Sequence, residues 1–400
     1  MKKIELLAPA GNLKKLKVAL KYGADAVYCG LPGFSLRAKT GFTIMDLEKG
    51  ISYAHKLNKK VYVTINIIAH NRHLRSLPGY LQKLKKLNPD AVIVADPGVM
   101  TVVKKYLPKT EIHLSTQANT LNYEAVKFWQ KQGVKRIILG REVAIGDIKE
   151  IRKKAKGIGL EVFVHGAMCM SYSGRCYLST WLSGRSANEG LCTQPCRWDY
   201  KVYIEEKLRP GKMIPVLSDK NGSYILNSKD LCLAKHLDKI IEAGVGSIKI
   251  EGRAKSIYYL AAAVRTYRLL LDGKIKIKDA LLELNKIDNR GYTTGFLLGA
   301  DDDIQQFDYL KEKNIWGFAG EVVSCNGQKV TFKVHNVLRS GDKIEIVTPS
   351  DIYILRVKKL YDNQGVEIAE AHGGTKKLFS FELDKNYDIL EGSLIRKMNK

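Results

Sequence analysis

The chain has 400 residues, 45% of them hydrophobic, and its 66 Lys and Arg against 41 Asp and Glu give a net charge of +25. That length allows two or three domains whose cores need no disulfides. No stretch approaches the roughly 20 apolar residues that span a bilayer, and MKKIELLAPAGN lacks the apolar run of a signal peptide. We therefore expect a cytoplasmic protein without membrane contact. Its positive charge favours a nucleic acid partner.

A repeated unit fills the first 253 residues: a short β-branched apolar run, polar loop residues, and then an amphipathic, Lys-rich helix. The runs do not alternate with polar residues, which is typical of parallel strands buried on both faces. The eight predicted strands lie at 4–10, 25–31, 60–67, 90–97, 111–118, 136–142, 160–167 and 247–253. Eight units predict an α/β fold with a TIM-type (β/α)8 barrel. An open doubly wound sheet is the alternative, but no glycine fingerprint follows the first strand.

The spacing of the strands breaks once, between the seventh and the eighth. The excess residues, 168–246, contain five of the seven cysteines. Strand-to-helix loops of a TIM barrel lie on its catalytic face. We therefore expect this cysteine-rich insertion to lie over the mouth of the barrel.

A further helix is predicted directly after Arg253, and the character of the chain then changes. We assign 1–272 to the barrel with its insertion and 273–314 to a polar connector. Residues 315–400 show short alternating runs separated by Gly, Asn and Asp turns. This pattern predicts a small all-β domain, a β-barrel or sandwich.

Polar residues at the carboxyl ends of the strands are the first candidates for an active site. Arg141, Lys249 and Arg253 are suited to binding a carboxylate or phosphate. Glu142 and Glu251 are candidates for proton transfer, or they neutralise those cations. The remaining candidates at strand ends are Asn66, Asp96, Thr116, Gln117 and His165. Asn66 and Gln117 are predicted to bind substrate. His165 is predicted to act as a base, as a metal ligand or as an oriented neighbour of the cysteines.

The clustered cysteines have the spacing C-x6-C-x15-C-x3-C-x35-C: Cys169, Cys176, Cys192, Cys196 and Cys232. A zinc ribbon would show two close pairs, and a ferredoxin would show a run of three. Four thiolates from separate loops suit a 4Fe-4S cluster, because soft sulfur ligands match its iron. A thiol protease with Cys169 or Cys176 as nucleophile and His165 as base is the alternative. Neither HExxH nor GxSxG is present.

EVFVHGAMCMSYSGRCYLS (161–179) resembles the signature of the collagenase-like peptidases of unknown catalytic type. The residues in pattern are Glu161, Phe163, Gly166, Met168, Cys169, Gly174, Cys176 and Ser179. Segments elsewhere also resemble that family: LLAPAGN (6–12), YGADAVYCG (22–30), HLSTQA (113–118), CRWDYK (196–201), NSKDLC (227–232), IKIEGRAKS (248–256) and GYTTGF (291–296).

The resemblance implies either a peptidase, for which the family was named, or an oxygen-independent hydroxylase with a cysteine-bound 4Fe-4S cluster. The hydroxylase branches act on tRNA, on ribosomal RNA or on a ubiquinone precursor, and the tRNA branch uses prephenate as the hydroxyl donor. Carried onto this chain, the ligands would be Cys169, Cys176, Cys192 and Cys232, with Cys196 as the alternative to Cys232.

The net charge favours an RNA substrate over a quinone precursor. The resemblance to the tRNA branch implies hydroxylation of the wobble uridine at its 5-position. The charge and the resemblance together lead us to expect an RNA hydroxylase that acts on tRNA with a small carboxylate co-substrate. We also expect that a second protein of the same family could be its partner.

Overall fold

The computed structural model describes residues 4–36, 42–169, 171, 175–198, 203–204, 210–211, 214–215, 228–299, 316–374 and 377–398. The chain divides into two units. The first comprises Met1–Leu20, Ala24–Lys255 and Asn289–Lys311, and the second comprises Lys21–Gly23, Ser256–Asp288 and Glu312–Lys400. The predicted domain bounds stay a prediction, and parts of the insertion at 168–246 and of the connector at 273–314 lie outside the described residues.

The strands of the first unit are short, and most follow a polar loop. In chain order they are β1 (Glu5–Pro9), β2 (Ala26–Cys29), β3 (Lys60–Ile65), β4 (Ala91–Val94), β5 (Glu111–Leu114), β6 (Arg136–Ile138), β7 (Gly159–Ala167), β8 (Tyr203–Ile204), β9 (Ile214–Pro215), β10 (Asp230–Cys232), β11 (Ser247–Ile250) and β12 (Tyr292–Thr293).

Eight of these strands form a closed parallel barrel in the order β11-β1-β2-β3-β4-β5-β6-β7. The barrel closes because Ser247 of β11 lies in register with Glu5 of β1 on one side and with Glu161 of β7 on the other. Every residue of β2, β4 and β11 is buried, as the unbroken apolar runs predicted. The predicted TIM-type barrel is confirmed.

Helices alternate with the barrel strands and present charged residues outward. They are α1 (Leu13–Lys21), α2 (Ile44–Lys56), α3 (Asn71–Leu87), α4 (Pro97–Tyr106), α5 (Tyr123–Lys131), α6 (Ile145–Lys154), α7 (Leu178–Ser183) and α8 (Leu237–Glu242), with 3-10 turns at Thr116–Ala118, Ala187–Glu189, Pro195–Arg197 and Ala234–His236. Local chemistry fixes several helix starts. Thr43 and Asp46 form a capping box at α2, and Asp96 accepts from the Val99 N–H at α4.

The second unit contains two helices and an all-β domain. The all-β domain predicted for 315–400 is confirmed. Its elements are α9 (Ile257–Leu271), α10 (Ile277–Asn285), β13 (Trp316–Asn326), β14 (Lys329–Val334), β15 (Leu338–Arg339), β16 (Lys343–Val347), β17 (Ile352–Arg356), β18 (Leu360–Tyr361), β19 (Glu367–Ile368), β20 (Glu370–Ala371), β21 (Phe379–Glu382) and β22 (Leu394–Met398). The main sheet runs β17-β16-β22-β13-β14-β21-β18-β19 around a core that includes Phe332 and Phe381.

Two segments of the predicted connector are ordered elements. Ile277–Asn285 is the helix α10, and Tyr292–Thr293 is the strand β12, which pairs with β10 inside the first unit. None of the helices within the described ranges is long and apolar enough to cross a membrane.

Candidate active site

The cysteine-rich insertion crosses the mouth of the barrel. It leaves the end of β7 at Ala167, and the backbone carbonyl of Asn188 within it accepts a hydrogen bond from the Ile68 N–H at 3.1 Å. Glu189 binds Arg72 at 2.5 Å, and Ile68 and Arg72 both follow β3. Since β3 and β7 are four strands apart in an eight-stranded barrel, they lie on opposite sides. The insertion therefore spans the catalytic face of the fold.

β10 brings the chain back to β7 in antiparallel register. Cys232 lies opposite His165, and Asp230 lies opposite Ala167, two residues before Cys169. Cys169, which follows β7, and Cys232, which lies on β10, are thus both near the carboxyl end of β7. Pairing of β10 with β12 places the Tyr292 ring 5.5 Å from the His165 ring.

The other cysteines of the insertion lie on its turns. Cys176 donates its N–H to the Asn188 side chain at 3.1 Å, which ties it to the segment that reaches β3. The Cys192 sulfur accepts the Gln194 N–H at 3.3 Å, and Cys196 lies in the turn Pro195–Arg197. None of the five forms a disulfide bond with another described residue.

These thiols fit an iron–sulfur cluster in kind and number. The N–H donated to Cys192 is the type of contact that tunes cluster sulfurs. Ligating geometry is not formed, however: no three His, Cys, Asp or Glu side chains of the described residues are grouped to hold a metal ion. The predicted ligand set stays a prediction, and Gly174 of the signature lies outside the described residues.

His165 is almost completely buried beneath the insertion. The pKa of His165 is lowered to about 4, mainly by burial; Asp230 opposes this shift and the nearby Lys255 adds to it. The imidazole is therefore neutral at pH 7. An imidazole with so low a pKa is a weak base at pH 7.

Arg253 is held inside the mouth by hydroxyl groups. Its guanidinium donates to Ser35 at 2.6 Å and to Thr64 at 3.0 Å, and the Thr64 hydroxyl donates on to the Cys29 carbonyl at 2.9 Å. A side chain at Gly30 would collide with Ser35 and Thr64, so glycine is required there.

Asn66 and Gln117 contact each other at the ends of β3 and β5, and their predicted role in substrate binding stays a prediction. The Asn66 amide donates to the Gln117 carbonyl oxygen at 2.7 Å, and the Ser115 hydroxyl donates to the same oxygen at 2.7 Å. The Leu36 N–H donates to the Asn66 oxygen at 3.3 Å. The two amides therefore hold the loops after β2, β3 and β5 in place.

Lys249 points into the barrel interior. Its ammonium donates to Glu161 at 2.9 Å, and Glu161, which is fully buried, also accepts from Arg136 at 3.1 Å and from Ser247 at 3.1 Å. Burial raises the pKa of Glu161, but the Lys249 and Arg136 cations outweigh it and hold the pKa at about 2. This ion pair accounts for the charge of Lys249 inside the fold.

The remaining strand-end candidates have plainer surroundings. Asp96 caps α4, and Thr116 donates to the Leu139 carbonyl at 3.1 Å. Glu142 and Glu251 are half-buried just beyond β6 and β11. Their predicted proton-transfer roles stay predictions.

Two residues that sequence reasoning missed, Asn119 and Thr120, lie in the loop after β5, where the Thr120 carbonyl accepts a hydrogen bond at 3.5 Å from the N–H of Gly140, the residue before Arg141. Both amide atoms of Asn119 and the Thr120 hydroxyl are buried without a hydrogen-bond partner, as is Nε of Arg141, within the part of the chain that the structure describes. The hydrogen bond from Thr116 to Leu139 holds the loops after β5 and β6 side by side. Orphaned buried polar groups are costly, so their clustering indicates a place where a polar ligand binds.

The Arg141 guanidinium lies 3.9 Å from the centre of the Phe163 ring, inside the mouth. Stacking of this kind holds the planar cation in one orientation. No carboxylate among the described residues forms an ion pair with it. The HLSTQA segment, which Asn119 and Thr120 directly follow, was the only sequence signal for them.

A family model described as "Peptidase family U32" matches residues 11–306, and one described as "Peptidase family U32 C-terminal domain" matches residues 315–396. The chain is 37% identical over 441 residues to tRNA hydroxylation protein P of Escherichia coli strain K12, covering 98% of this chain and 97% of that protein. It is 38% identical over 408 residues to tRNA hydroxylation protein P1 of Bacillus subtilis strain 168, covering 99% and 95%. A protein named "Collagenase" from Porphyromonas gingivalis is 31% identical over 314 residues, covering 74% and 73%.

Proposed function

We propose that this chain, which belongs to peptidase family U32, is an RNA hydroxylase whose substrate is tRNA. The observation that carries the proposal is the similarity to two tRNA hydroxylation proteins across 98% and 99% of this chain. The collagenase relative is less similar and covers less of the chain. We propose the cytoplasm as the place of this activity, in line with the expectation from the sequence.

The distribution of charge supports RNA binding by the part of the chain that precedes the C-terminal β-domain. Residues 316–400 contain 13 Lys and Arg against 11 Asp and Glu, so nearly all of the +25 charge lies in residues 1–315. Phosphate contacts by Lys and Arg supply most of the affinity of such complexes. The target would be the wobble uridine at its 5-position, taken out of its stack to enter the barrel mouth, because chemistry on a base atom requires this.

The proposed cofactor is a 4Fe-4S cluster held by Cys169, Cys176, Cys192 and Cys232. Cys232 is preferred over Cys196 because β10 fixes it beside the same strand end from which Cys169 projects. When bound, such a cluster supplies electron transfer or an iron atom that binds substrate oxygen. The chain's own contribution is the insertion that holds these thiols over the mouth.

The proposed co-substrate is a small carboxylate such as prephenate. Arg141, stacked on Phe163, provides the cation, and Asn119 and Thr120 provide orphaned polar groups beside it. Charge-assisted hydrogen bonds from a fixed guanidinium orient a carboxylate well. Arg253, held by the Ser35 and Thr64 hydroxyls, is the second cation of the mouth.

Peptidase activity is the second candidate, favoured by the family's name and the collagenase relative. A thiol peptidase needs an accessible cysteine beside a base. His165 is buried, neutral and a weak base, and the cysteine opposite it in register is the buried Cys232. The geometry therefore favours the hydroxylase.

Mass spectrometry of tRNA nucleosides tests the proposal directly. Deleting the gene should remove a uridine derivative that carries one extra oxygen atom, and a plasmid copy should restore it. Identical tRNA nucleosides with and without the gene would contradict the proposed function. A second protein of the same family, if needed as partner, should give the same loss when its gene is deleted.

A further inference from the structure

The cysteine-rich insertion carries an exposed aromatic surface, which we call the aromatic ledge and define as Tyr177, Trp181 and Trp198. Tyr177 is 80% exposed and Trp181 is 79% exposed, more than any other large hydrophobic side chain of the described residues. Leu182 and Leu191 of the same insertion are also exposed. Large rings in contact with water cost free energy, which suggests that this surface is used in binding.

The ledge has a fixed scaffold. The Trp181 N–H donates to the Tyr177 carbonyl at 2.9 Å, so the two residues are one helical turn apart and their side chains project on one face. Beneath them, the Ser179 and Ser183 hydroxyls form hydrogen bonds with Thr193 at 3.2 and 2.9 Å. The Trp198 indole N–H donates to the Thr193 carbonyl at 3.2 Å. The rings are thus presented by a hydrogen-bonded core of the insertion.

Positive charge flanks the ledge. Arg175 and Arg185 are exposed, and neither forms an ion pair with another described residue. Among the described residues of 168–198, the acidic side chain is Glu189, which is bound by Arg72 at 2.5 Å. Exposed rings flanked by exposed arginines match a polyanion that has flat faces, which is the chemistry of single-stranded nucleic acid.

We propose that Tyr177 and Trp181 stack on unpaired RNA bases that neighbour the base entering the barrel mouth. This inference rests on the proposed RNA substrate and names how its loop is bound. The insertion crosses the mouth from β7 to the segment after β3, so a nucleotide on the ledge lies next to the opening. Stacking accepts any base, so the ledge supplies affinity for looped RNA, and phosphate contacts add to it.

The test measures the binding of an RNA stem–loop with the anticodon-loop sequence, and of a fully paired duplex of similar length, to the full chain. Trp181→Ala and Tyr177→Ala should each weaken stem–loop binding between about 5-fold and 150-fold, the range for one lost base stack. Duplex binding should change less than twofold. Trp181→Phe and Tyr177→Phe keep a ring and should retain most of the affinity.

Phe128→Ala is the matched control, because Phe128 is a 54% exposed aromatic residue on the outer helix α5. It should bind both RNAs as the wild type does. If the wild type prefers the stem–loop and both alanine variants bind it equally well, the ledge proposal is wrong while the RNA hydroxylase proposal stands. If the wild type binds neither RNA, both proposals fail. If the alanine variants change only the self-association of the chain, seen by sedimentation, the ledge covers a second copy and the RNA role is overturned.

Discussion

Arg72 donates a hydrogen bond to Glu189 at 2.5 Å, and this contact joins α3 to the cysteine-rich insertion across the barrel mouth. His70 reaches the same carboxylate at 3.1 Å, and the Ile68 N–H binds the neighbouring Asn188 carbonyl. The insertion is therefore anchored both at β7, where it begins, and opposite β7. This arrangement positions thiols and aromatic rings over the site without making them part of the barrel.

Loss of this anchor should loosen the insertion without unfolding the barrel. Arg72→Ala should speed amide hydrogen exchange around residues 187–190 several-fold, because the segment loses its ion pair. The free energy of unfolding should fall by only about 0.2 to 1 kcal/mol, since Arg72 is 61% exposed and the pair is screened. Arg75→Ala, on the exposed face of the same helix, is the control. Equal exchange in the two variants would contradict the anchoring role.

The ligand set makes a prediction about iron content. Serine at Cys169, Cys176, Cys192 or Cys232 should each lower iron and sulfide in anaerobically purified protein well below the roughly four of each that a complete cluster holds. Cys196→Ser should keep the wild-type content. If Cys196→Ser lowered the iron content and Cys232→Ser did not, Cys196 would be the fourth ligand in place of Cys232. Stoichiometric zinc without iron would refute the iron–sulfur cluster.

Arg141 should govern the affinity for the carboxylate co-substrate. Removal of a charge-assisted hydrogen bond costs about 1.5 to 3 kcal/mol, so Arg141→Ala should raise KM for the co-substrate about 10-fold to 150-fold. KM for RNA should change little. Arg141→Lys keeps the charge but loses the planar fork and should be intermediate. Lys153→Ala on the outer helix α6 should match the wild type, and an unchanged KM in Arg141→Ala would assign the carboxylate to another cation.

Glu161 predicts how stability depends on acid. Its pKa is about 2 in the folded chain against 4.5 as the ordinary value. Its contribution to stability is therefore complete above pH 4.5 and is lost as the pH falls through about 2, up to roughly 3 kcal/mol at 1.36 kcal/mol per unit. Glu161→Gln should lack this dependence between pH 4.5 and 2 in urea unfolding.

The same variant should also be less stable at pH 7. Removing Glu161 leaves the buried Lys249 ammonium without its partner at 2.9 Å, which costs about 3 to 5 kcal/mol. Glu150→Gln is the control, because Glu150 forms an exposed i,i+4 pair with Lys154 and should cost less than about 0.5 kcal/mol. Equal stability of the two variants would show that the Glu161 pair is not structural.

The barrel was predictable because each buried strand carries its own local pattern of apolar residues. β10 and β12 were not, since strands of three and two residues form only when distant segments meet. The predicted strand ends identified Lys249 and Arg253 as candidates but did not identify their partners. Those partners are distant in sequence, since Glu161 lies 88 residues from Lys249 and Ser35 lies 218 residues from Arg253. The HLSTQA segment pointed only to the neighbourhood of Asn119 and Thr120, since the lack of hydrogen-bond partners for their buried polar atoms is visible only in three dimensions.

The most direct test of the account is complementation of a gene-deletion strain, with tRNA uridines analysed by mass spectrometry. Three versions of the gene are compared: wild type, Cys169→Ser at the barrel mouth, and Cys325→Ser in the β-domain. The account predicts that the wild type and Cys325→Ser restore the hydroxylated uridine and that Cys169→Ser, produced at the same level, does not. Restoration by Cys169→Ser, or no hydroxylated uridine with any of the three, would contradict it.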